Sequence, residues 1–327
     1  MSGAILFGVL PDGRQVRAVT LRSGTMTARV LTLGAIVQDL RWDKADHPLM
    51  LGCPDVADYL DAGRYLGAIV GRFANRIGNA RFRLDGRDYQ TDPNFRDRHT
   101  LHGGSEGTDL QIWQIETLAP DRVMLRLTLA DGHMGFPGTM GIAATIALSQ
   151  DTMSITLQAE TDQPTPCNLT HHGYFNLDGG GDVRCHHLNI DAAHYLPVDA
   201  DLIPTGEITP VEGTPFDFRR ERMIGDTGYD HNFCLSRSSG PMRPVARLTG
   251  QGGISMDIVT TACGLQLYDG VHLSDLQGLE GRVYGPHAGA ALEAQHWPDA
   301  PNQPDFPKAI LRPGEVFDMT VSYRFSR

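Results

Sequence analysis

Apolar and polar residues alternate with a period of two along several long stretches of the chain. The clearest are 121–130, 153–159 and 316–325, and in the last of these Val321 and Tyr323 are separated by a serine. Side chains of a β-strand point alternately to its two faces, so this pattern describes strands with one buried face and one solvated face. The sequence therefore predicts at least three half-buried strands.

Turn-forming pairs separate the alternating stretches. Asp-Gly occurs at 85–86 and 131–132, and Pro-Gly occurs at 313–314. The chain contains 37 Gly and 20 Pro, which leave few uninterrupted windows of helical length. The best helical candidate is 55–66, and no longer amphipathic helix is predicted.

The order of these signals favours one all-β domain. Many short strands with turns between them are typical of an antiparallel sandwich or barrel. No composition shift, linker or repeat of fixed period divides the chain, so we expect a single domain over residues 1–327.

Charge and composition narrow the classes of partner. Asp and Glu number 39 against 28 Lys and Arg, a net charge of −11, and the basic residues are scattered. Nucleic acids and anionic membranes attract concentrated basic patches, so neither is an expected partner. No run approaches the ~20 apolar residues of a membrane-spanning helix.

Cysteine usage and the N-terminal segment predict a cytoplasmic protein. The five cysteines are odd in number and widely spaced, which argues against a disulfide framework. Residues 1–11 have a short apolar run broken by glycine and no basic residue before it, so no signal peptide is expected.

The segment 168–177 carries two adjacent histidines. If it forms one strand, His172 shares a face with hydrogen-bonding groups such as Thr170, whereas His171 lies among apolar ones such as Leu169. His171 is therefore expected to be a core histidine with one backbone partner. His172 is a candidate site residue, although this segment alone leaves a structural role equally open.

Two further segments carry groups suited to acid–base chemistry. His102 precedes Gly103-Gly104, where the glycines allow either a sharp turn or the close approach of a ligand. Glu293 lies in an apolar strand-like run, where an unpaired charge would be costly and where burial raises a carboxyl pKa. Glu293 is thus a candidate general base, with a structural ion pair as the alternative.

A fourth group of residues has the chemistry of a sugar site. Asp230 lies among aromatic and amide residues in 228–233, and Asn75, Arg76 and Gln266 could add further hydrogen-bonding groups. Sugar hydroxyls need several polar partners, whereas the C–H faces of the ring pack on flat apolar surfaces.

Two other motifs are rejected. Residues 103–107 match G-x-S-x-G, but no helix is predicted after them, as that motif requires. Cysteines and histidines recur between 167 and 187, but they lack the spacing of zinc ligands, so no metal site is predicted.

Taken together, eleven segments resemble the aldose 1-epimerase (galactose mutarotase) family nearly end to end and in the same order. They include Leu-His-Gly-Gly at 101–104 and Leu-Glu-Ala-Gln at 292–295. The eleven segments are 71–78, 101–104, 131–138, 168–177, 195–199, 203–207, 213–219, 229–233, 292–295, 298–304 and 311–315.

The resemblance implies a large antiparallel β-sandwich (a supersandwich of the galactose mutarotase type) with an open sugar-binding cleft, and it implies neither a metal nor an organic cofactor. It assigns the base to Glu293, the acid to His172 and an assisting role at the ring oxygen to His102. It assigns the binding of sugar hydroxyls to Asn75, Arg76, Asp230 and Gln266. A monosaccharide is the expected partner, for a monomer or homodimer.

Three positions depart from the family pattern, namely His171 for asparagine, Gly173 for serine and Asp269 for threonine. These departures leave the acid–base pair intact but leave the preferred sugar open.

One alternative is a hexose-6-phosphate mutarotase, for which 219–222 is the only cluster of cations. Another is a non-catalytic sugar-binding protein on the same fold.

Overall fold

The computed structural model describes residues 3–327, and its regular structure is almost entirely β. Met1 and Ser2, the start of the segment examined for a signal peptide, lie outside the described residues. The helices of the described part are all short 3₁₀ turns: Ala57–Leu60, Gly78–Ala80, Thr108–Leu110, His133–Gly135, Val183–Cys185, Leu279–Gly281 and Ala300–Asn302. None within residues 3–327 is long and apolar enough to span a membrane.

The helix predicted over 55–66 is wrong. Only Ala57–Leu60 forms a 3₁₀ turn, and irregular turns follow it. Tyr65 and Gly67 both have positive φ angles (73° and 67°), which a right-handed helix does not accommodate. The segment is therefore a loop.

Most strands are short, and the longest, Met140–Ser149, Thr152–Thr161 and Phe317–Ser326, have ten residues each. The first are β1 Ile5–Val9, β2 Gln15–Ser23, β3 Met26–Leu31, β4 Val37–Trp42, β5 Ile69–Val70, β6 Arg76–Ile77, β7 Arg81–Leu84, β8 Arg87–Gln90 and β9 Thr100–Leu101. Next come β10 Gln114–Ala119, β11 Arg122–Leu129, β12 Met140–Ser149, β13 Thr152–Thr161, β14 Thr165–Pro166, β15 Thr170–His171, β16 Tyr174–Phe175, β17 His187–Ile190, β18 His194–Tyr195, β19 Thr209–Pro210 and β20 Arg222–Met223. The last are β21 Asp230–Cys234, β22 Arg243–Thr249, β23 Ser255–Thr260, β24 Gly264–Tyr268, β25 Leu276–Gln277, β26 Val283–Tyr284, β27 Ala290–Gln295, β28 Ile310–Leu311 and β29 Phe317–Ser326.

Three larger antiparallel sheets organise these strands. A nine-stranded sheet has the order β10-β11-β12-β13-β29-β23-β22-β17-β20, a six-stranded sheet has the order β16-β27-β24-β21-β18-β19, and β1 to β4 form a four-stranded sheet. The three strands predicted from alternation are β11, β13 and β29 of the nine-stranded sheet. Their alternate apolar residues are buried, so that prediction is confirmed.

The nine-stranded and six-stranded sheets share a large apolar core. Leu265, Leu267 and Leu292 of the six-stranded sheet are fully buried in the same cluster as the core residues of β13 and β29. The rings of Phe175 and Tyr323 meet across it at 4.8 Å. Burial of this apolar surface is the main force holding the two sheets together.

The opposite face of the six-stranded sheet is polar at its centre. In the register of β21, β24 and β27, Asn232 is opposite Gln266, and Gln266 is opposite Glu293. Directly opposed residues of antiparallel strands point to the same face, so these three side chains form one row across the sheet. The all-β sandwich prediction is confirmed, and this row begins the functional site.

Candidate active site

Glu293 occupies the middle of a completely buried strand. All six residues of β27 are buried, and Glu293 is only 2% exposed. Its neighbours Leu292 and Ala294 point into the core, which leaves its carboxylate on the polar face. Among residues 3–327 its one ion-pair contact is with the imidazole of His172, and no Lys or Arg side chain pairs with it.

His172 lies directly beside this carboxylate. Its Nε2 is 3.6 Å from Oε1 of Glu293, and both residues are nearly inaccessible to solvent. The ring stacks on Tyr174 with a centroid distance of 5.0 Å. The structure thus brings together the two residues that the resemblance names as base and acid.

The alternation suggested that segment 168–177 forms one strand, and this is not observed. It forms two short strands, β15 and β16, which pair with different partners and are separated at His172 and Gly173. The expected opposition of the two histidines is nevertheless observed. His171 packs against Tyr323 in the core, with Nδ1 3.2 Å from the tyrosine hydroxyl. The backbone of Gly67 also interacts with its ring.

The departures from the family pattern at His171 and Gly173 are physically linked. A Cβ placed on Gly173 would lie 2.5 Å from Cε1 of His171 and 2.8 Å from Cε of Met50. The methionine end is flexible, but the imidazole is confined by the core. A histidine at 171 therefore requires a residue without a side chain at 173.

This linkage predicts a non-additive pair of substitutions. We expect Gly173→Ser to cost roughly 1–3 kcal/mol of unfolding free energy, because the serine Cβ overpacks against His171. We expect His171→Asn, which removes the ring, to relieve most of that cost in the double variant. Urea unfolding of the two single variants and the double variant measures the coupling, and strictly additive losses would contradict the linkage.

His102 is placed by a strained turn after β9. Its φ angle is +50°, and a Cβ on Gly103 would lie only 2.0 Å from the Gly71 carbonyl oxygen. Gly103 therefore serves the close approach of the Gly71 backbone, and Gly104 packs against the Met134 side chain. The turn directs the His102 ring to within 5.1 Å of the His172 ring.

The tautomer of His102 is fixed by the backbone. The N–H of Asn75 donates to Nδ1 at 3.1 Å, and the His102 N–H donates back to the Asn75 carbonyl at 2.9 Å. Burial lowers the pKa of His102 well below its ordinary value, so the ring is neutral near pH 7. Because Nδ1 accepts, Nε2 carries the hydrogen, and His102 can only donate from that atom.

Four predicted sugar-binding residues form one hydrogen-bonded group. Asp230 accepts from Arg76 at 2.9 Å and from Nε2 of Gln266 at 2.6 Å. Oδ1 of Asn75 accepts from the backbone N–H of Arg76 at 2.9 Å. The Arg76 guanidinium also lies over the ring of Phe95, 4.7 Å from its centroid.

The mouth of the site is on the Asp230 side. Asp230, Phe95 and Tyr268 are half-buried, whereas His102, His172 and Glu293 beneath them are at most 4% exposed. A ligand therefore meets Asp230, Phe95 and Tyr268 first and the acid–base pair beneath them.

Burial shifts the acid–base pair toward uncharged forms. It raises the pKa of Glu293 well above its ordinary value, with a further contribution from the negative charge of Asp230. It lowers the pKa of His172 to about 4. The upward shift in the pKa of Glu293 has the direction expected for a general base. The pKa of His172, in contrast, lies further below 7 than expected.

A divalent cation does not fit this cluster well. One nitrogen from each of His102 and His172 and a carboxylate oxygen of Glu293 lie within 4.8 Å of one another, which is close enough for metal ligands. A metal needs a nitrogen lone pair, and His102 uses its only one to accept from Asn75. The chemistry of the donor set thus favours a hydrogen-bond donor at His102 over a metal ligand.

The rejected cysteine and histidine group is dispersed in the fold. His171 contacts Tyr323, Nε2 of His186 accepts from the backbone N–H of Leu177, and Cys185 is exposed. These side chains do different structural tasks.

Sequence reasoning missed several polar and aromatic residues around the pair. Asn232 and Gln295 are buried on the same face as Glu293, and within residues 3–327 neither amide has a hydrogen-bond partner. Tyr174 and Tyr65 pack against His172. Register could have found Asn232, because it is opposite Gln266, but that register is known only from the folded sheet.

Asp269, the third departure from the family pattern, is a structural residue. Its carboxylate is fully buried and accepts from the backbone N–H groups of Tyr229 at 3.0 Å and Val271 at 3.2 Å. It fixes the segment that carries Asp230 rather than offering its own oxygens to a ligand.

The fold and the buried pair describe an all-β sandwich with a candidate acid–base site. A sequence profile described as aldose 1-epimerase matches residues 17–324. The galactose mutarotase of Rattus norvegicus is 39% identical, covering 98% of this chain and 97% of the rat protein. The aldose 1-epimerase of Escherichia coli K12 is 37% identical, covering 96% of each.

Solved structures of aldose epimerases have the same fold as this chain. A homologue of aldose epimerase from C. elegans superposes with a TM-score of 0.89 at 29% identity, covering 95% of this chain and 98% of that one. Galactose 1-epimerase from Lactobacillus acidophilus NCFM gives 0.86 at 29% identity, covering 99% and 98%. The chain belongs to the aldose 1-epimerase family, whose members are isomerases that act on sugars.

Proposed function

We propose that this protein interconverts the α and β anomers of a free aldose, with Glu293 and His172 transferring the two protons. The observation that carries this proposal is the 3.6 Å separation of the buried Glu293 carboxylate and His172 imidazole, beside the hydrogen-bonded polar group of Arg76, Asp230 and Gln266. Proton transfer by two positioned groups is all that opening and closing a hemiacetal requires.

In the opening step, the Glu293 carboxylate removes the proton from the C1 hydroxyl. The protonated His172 gives its proton to the ring oxygen, the bond between C1 and the ring oxygen breaks, and an aldehyde forms. Glu293 is then a neutral carboxylic acid and His172 a neutral imidazole, the forms that their buried environment favours.

In the closing step, rotation about the bond between C1 and C2 presents the other face of the aldehyde. The hydroxyl at the ring-oxygen position returns its proton to His172 and attacks C1, and the carbonyl oxygen takes the proton back from Glu293. The Nε2–H of His102, whose tautomer is fixed by the Asn75 backbone, donates a hydrogen bond to the ring oxygen. The pair holds one proton throughout, and each half-reaction moves it between the two residues.

Asp230, Arg76, Gln266 and Asn75 support a neutral sugar as substrate. They form a hydrogen-bonded group, and the one cation among them, Arg76, is already paired with Asp230. Two of the three cations proposed for a phosphate, Arg219 and Arg222, are also engaged. Arg219 is paired with Asp217 at 2.7 Å, and Arg222 donates to the backbone carbonyl of Asp217 at 3.0 Å.

Polarimetry of freshly dissolved α-anomers tests the proposal. We expect the protein to accelerate the change in optical rotation of one or more of galactose, glucose, xylose and arabinose. A rate increase confined to glucose 6-phosphate would instead support the phosphosugar alternative. Saturable sugar binding without any rate increase would support the non-catalytic one.

The pKa shifts predict the pH dependence of kcat/KM. The active form holds one proton on the pair, so activity falls when a second proton is added or the last one is lost. Because the pKa of His172 is lowered to about 4, we expect the acid limb near pH 4 rather than near 6.5. The raised pKa of Glu293 places the alkaline limb above the ordinary carboxyl range.

Rates at each pH, corrected for the uncatalysed reaction, give the profile, and circular dichroism confirms that the protein is folded at each point. An acid limb between pH 6 and 7 would show that His172 is solvated in the working enzyme and would contradict the expectation.

A further inference from the structure

Tyr65 packs against both imidazoles of the site. Its ring centroid is 4.7 Å from that of His102, and it stacks on His172 at 6.0 Å with an interplanar angle of 23°. No other aromatic residue in the described part of the chain contacts both rings. Tyr65 therefore occupies the position from which the relative orientation of the two histidines can be controlled.

The backbone at Tyr65 is held in an unfavourable conformation. Its φ angle is +73°, in the left-handed region that non-glycine residues with bulky side chains rarely adopt. Such conformations persist only where the surroundings impose them, and they concentrate at functional sites. The position keeps a tyrosine although glycine or asparagine would relieve the strain.

The loop that imposes this conformation is bonded to His172 itself. The N–H of Gly67 donates to the His172 carbonyl at 2.9 Å, and the His172 N–H donates to the Ala68 carbonyl at 2.8 Å. The N–H of Ala68 in turn donates to the Tyr65 carbonyl at 3.0 Å. The positions of the Tyr65 ring and the His172 backbone are thus set together.

Arg64 links the Tyr65 ring to the loop after His102. Its guanidinium carbon lies 4.8 Å from the Tyr65 ring centroid. The same guanidinium donates to the buried carboxylate of Asp109 at 2.8 Å and to the Gly104 carbonyl at 3.2 Å. The Tyr65 ring therefore contacts the arginine as well as the two imidazoles.

We propose that Tyr65 is a positioning residue of the epimerase reaction, whose aromatic ring sets the orientation of His102 and His172 and keeps water from them. This inference rests on the proposed function. It assigns the role to the ring and not to the phenolic hydroxyl, which makes no hydrogen bond within residues 3–327. A group that must move protons to and from fixed substrate atoms tolerates little rotation, so loss of the ring is expected to affect turnover.

The titration of His172 gives a readout that a merely structural role would not change. Without the ring, water reaches His172, and its pKa is expected to rise from about 4 toward the ordinary 6.5. The acid limb of kcat/KM then moves to higher pH. The titratable and charged groups around His172 are His171, His102, Tyr65, Tyr174, Glu293, Asp230 and Arg76.

The experiment compares the whole protein with Tyr65→Phe, Tyr65→Leu and Tyr65→Asn. We expect Tyr65→Phe to stay within about threefold of the parent kcat, since the ring remains. We expect Tyr65→Leu to lose about 10- to 100-fold in kcat with a much smaller change in KM, and its acid limb to rise by about one pH unit or more. Asparagine tolerates positive φ, so Tyr65→Asn provides a folded variant without the ring if leucine prevents folding.

Tyr89→Leu is the matched control. Tyr89 lies on β8, where its ring packs on Phe82 at 5.2 Å in a separate apolar cluster. We expect this variant to unfold at lower temperature but to keep the parent kcat and pH profile.

Parent-like kcat and an unmoved acid limb in a folded Tyr65→Leu or Tyr65→Asn would overturn the positioning role while leaving the proposed function intact. An equal loss in Tyr65→Phe would also overturn it, by assigning the effect to the hydroxyl. A parent protein that accelerates no anomer exchange would overturn both proposals.

Discussion

Glu293→Gln is expected to lower kcat for anomer interconversion by about 10³-fold or more, since positioned acid–base groups contribute roughly 10²–10⁴-fold. The amide keeps the size and hydrogen-bonding reach of the carboxyl group but cannot accept a proton from the C1 hydroxyl. Sugar affinity should change little, because Asp230, Arg76 and Gln266 form their own hydrogen-bonded group. A catalytic loss without a binding loss is the signature of a base.

Polarimetry gives the rate, and calorimetric titration with the preferred sugar gives the affinity. Glu280→Gln is the matched control, because Glu280 is exposed and paired with Arg41 and Arg282 on the surface. We expect that variant to behave as the parent does. Near-normal turnover in a folded Glu293→Gln would remove Glu293 from the mechanism.

His172→Asn is expected to lose roughly 10²–10⁴-fold in kcat, whereas His171→Asn should lose less than about fivefold. The two histidines are adjacent in sequence but lie on opposite sides of the backbone. His172 is 3.6 Å from Glu293, and His171 contacts Tyr323 in the core. Asparagine cannot carry a proton between substrate atoms, but it can fill much of the space beside Tyr323.

The two variants are compared by kcat and by urea unfolding. His171→Asn should show its main effect in stability and His172→Asn in turnover. Equal catalytic losses would contradict the assignment of opposite faces and would indicate that His171 acts through its neighbour.

The strands with strict alternation could be predicted from sequence because they are long strands of the large sheet with one face in the core. In β11, β13 and β29 one face is core and the other is solvent, so burial and polarity repeat together. The strand β27 shows no alternation, because both of its faces are buried. There the carboxylate of Glu293 stood out only because it was unexpected among apolar residues.

The relative positions of the site residues could not be predicted, because they depend on register and loop geometry. Asn232 and Glu293 become neighbours of Gln266 only after β21, β24 and β27 pair. Tyr65 gave no signal in its own segment, which was expected to be helical. Its position depends on backbone hydrogen bonds to His172, distant in sequence.

The opposite orientation of neighbouring side chains in β27 ties enzyme activity to correct strand pairing. A slip of one residue between β24 and β27 would turn Glu293 into the apolar interior and bring Leu292 to the sugar. A chain folded that way would be compact but inert. Turnover per mole of recovered protein would therefore report the fraction of refolded molecules that reached the native register. Spectroscopic measurements of β content would not distinguish the native register from the slipped one.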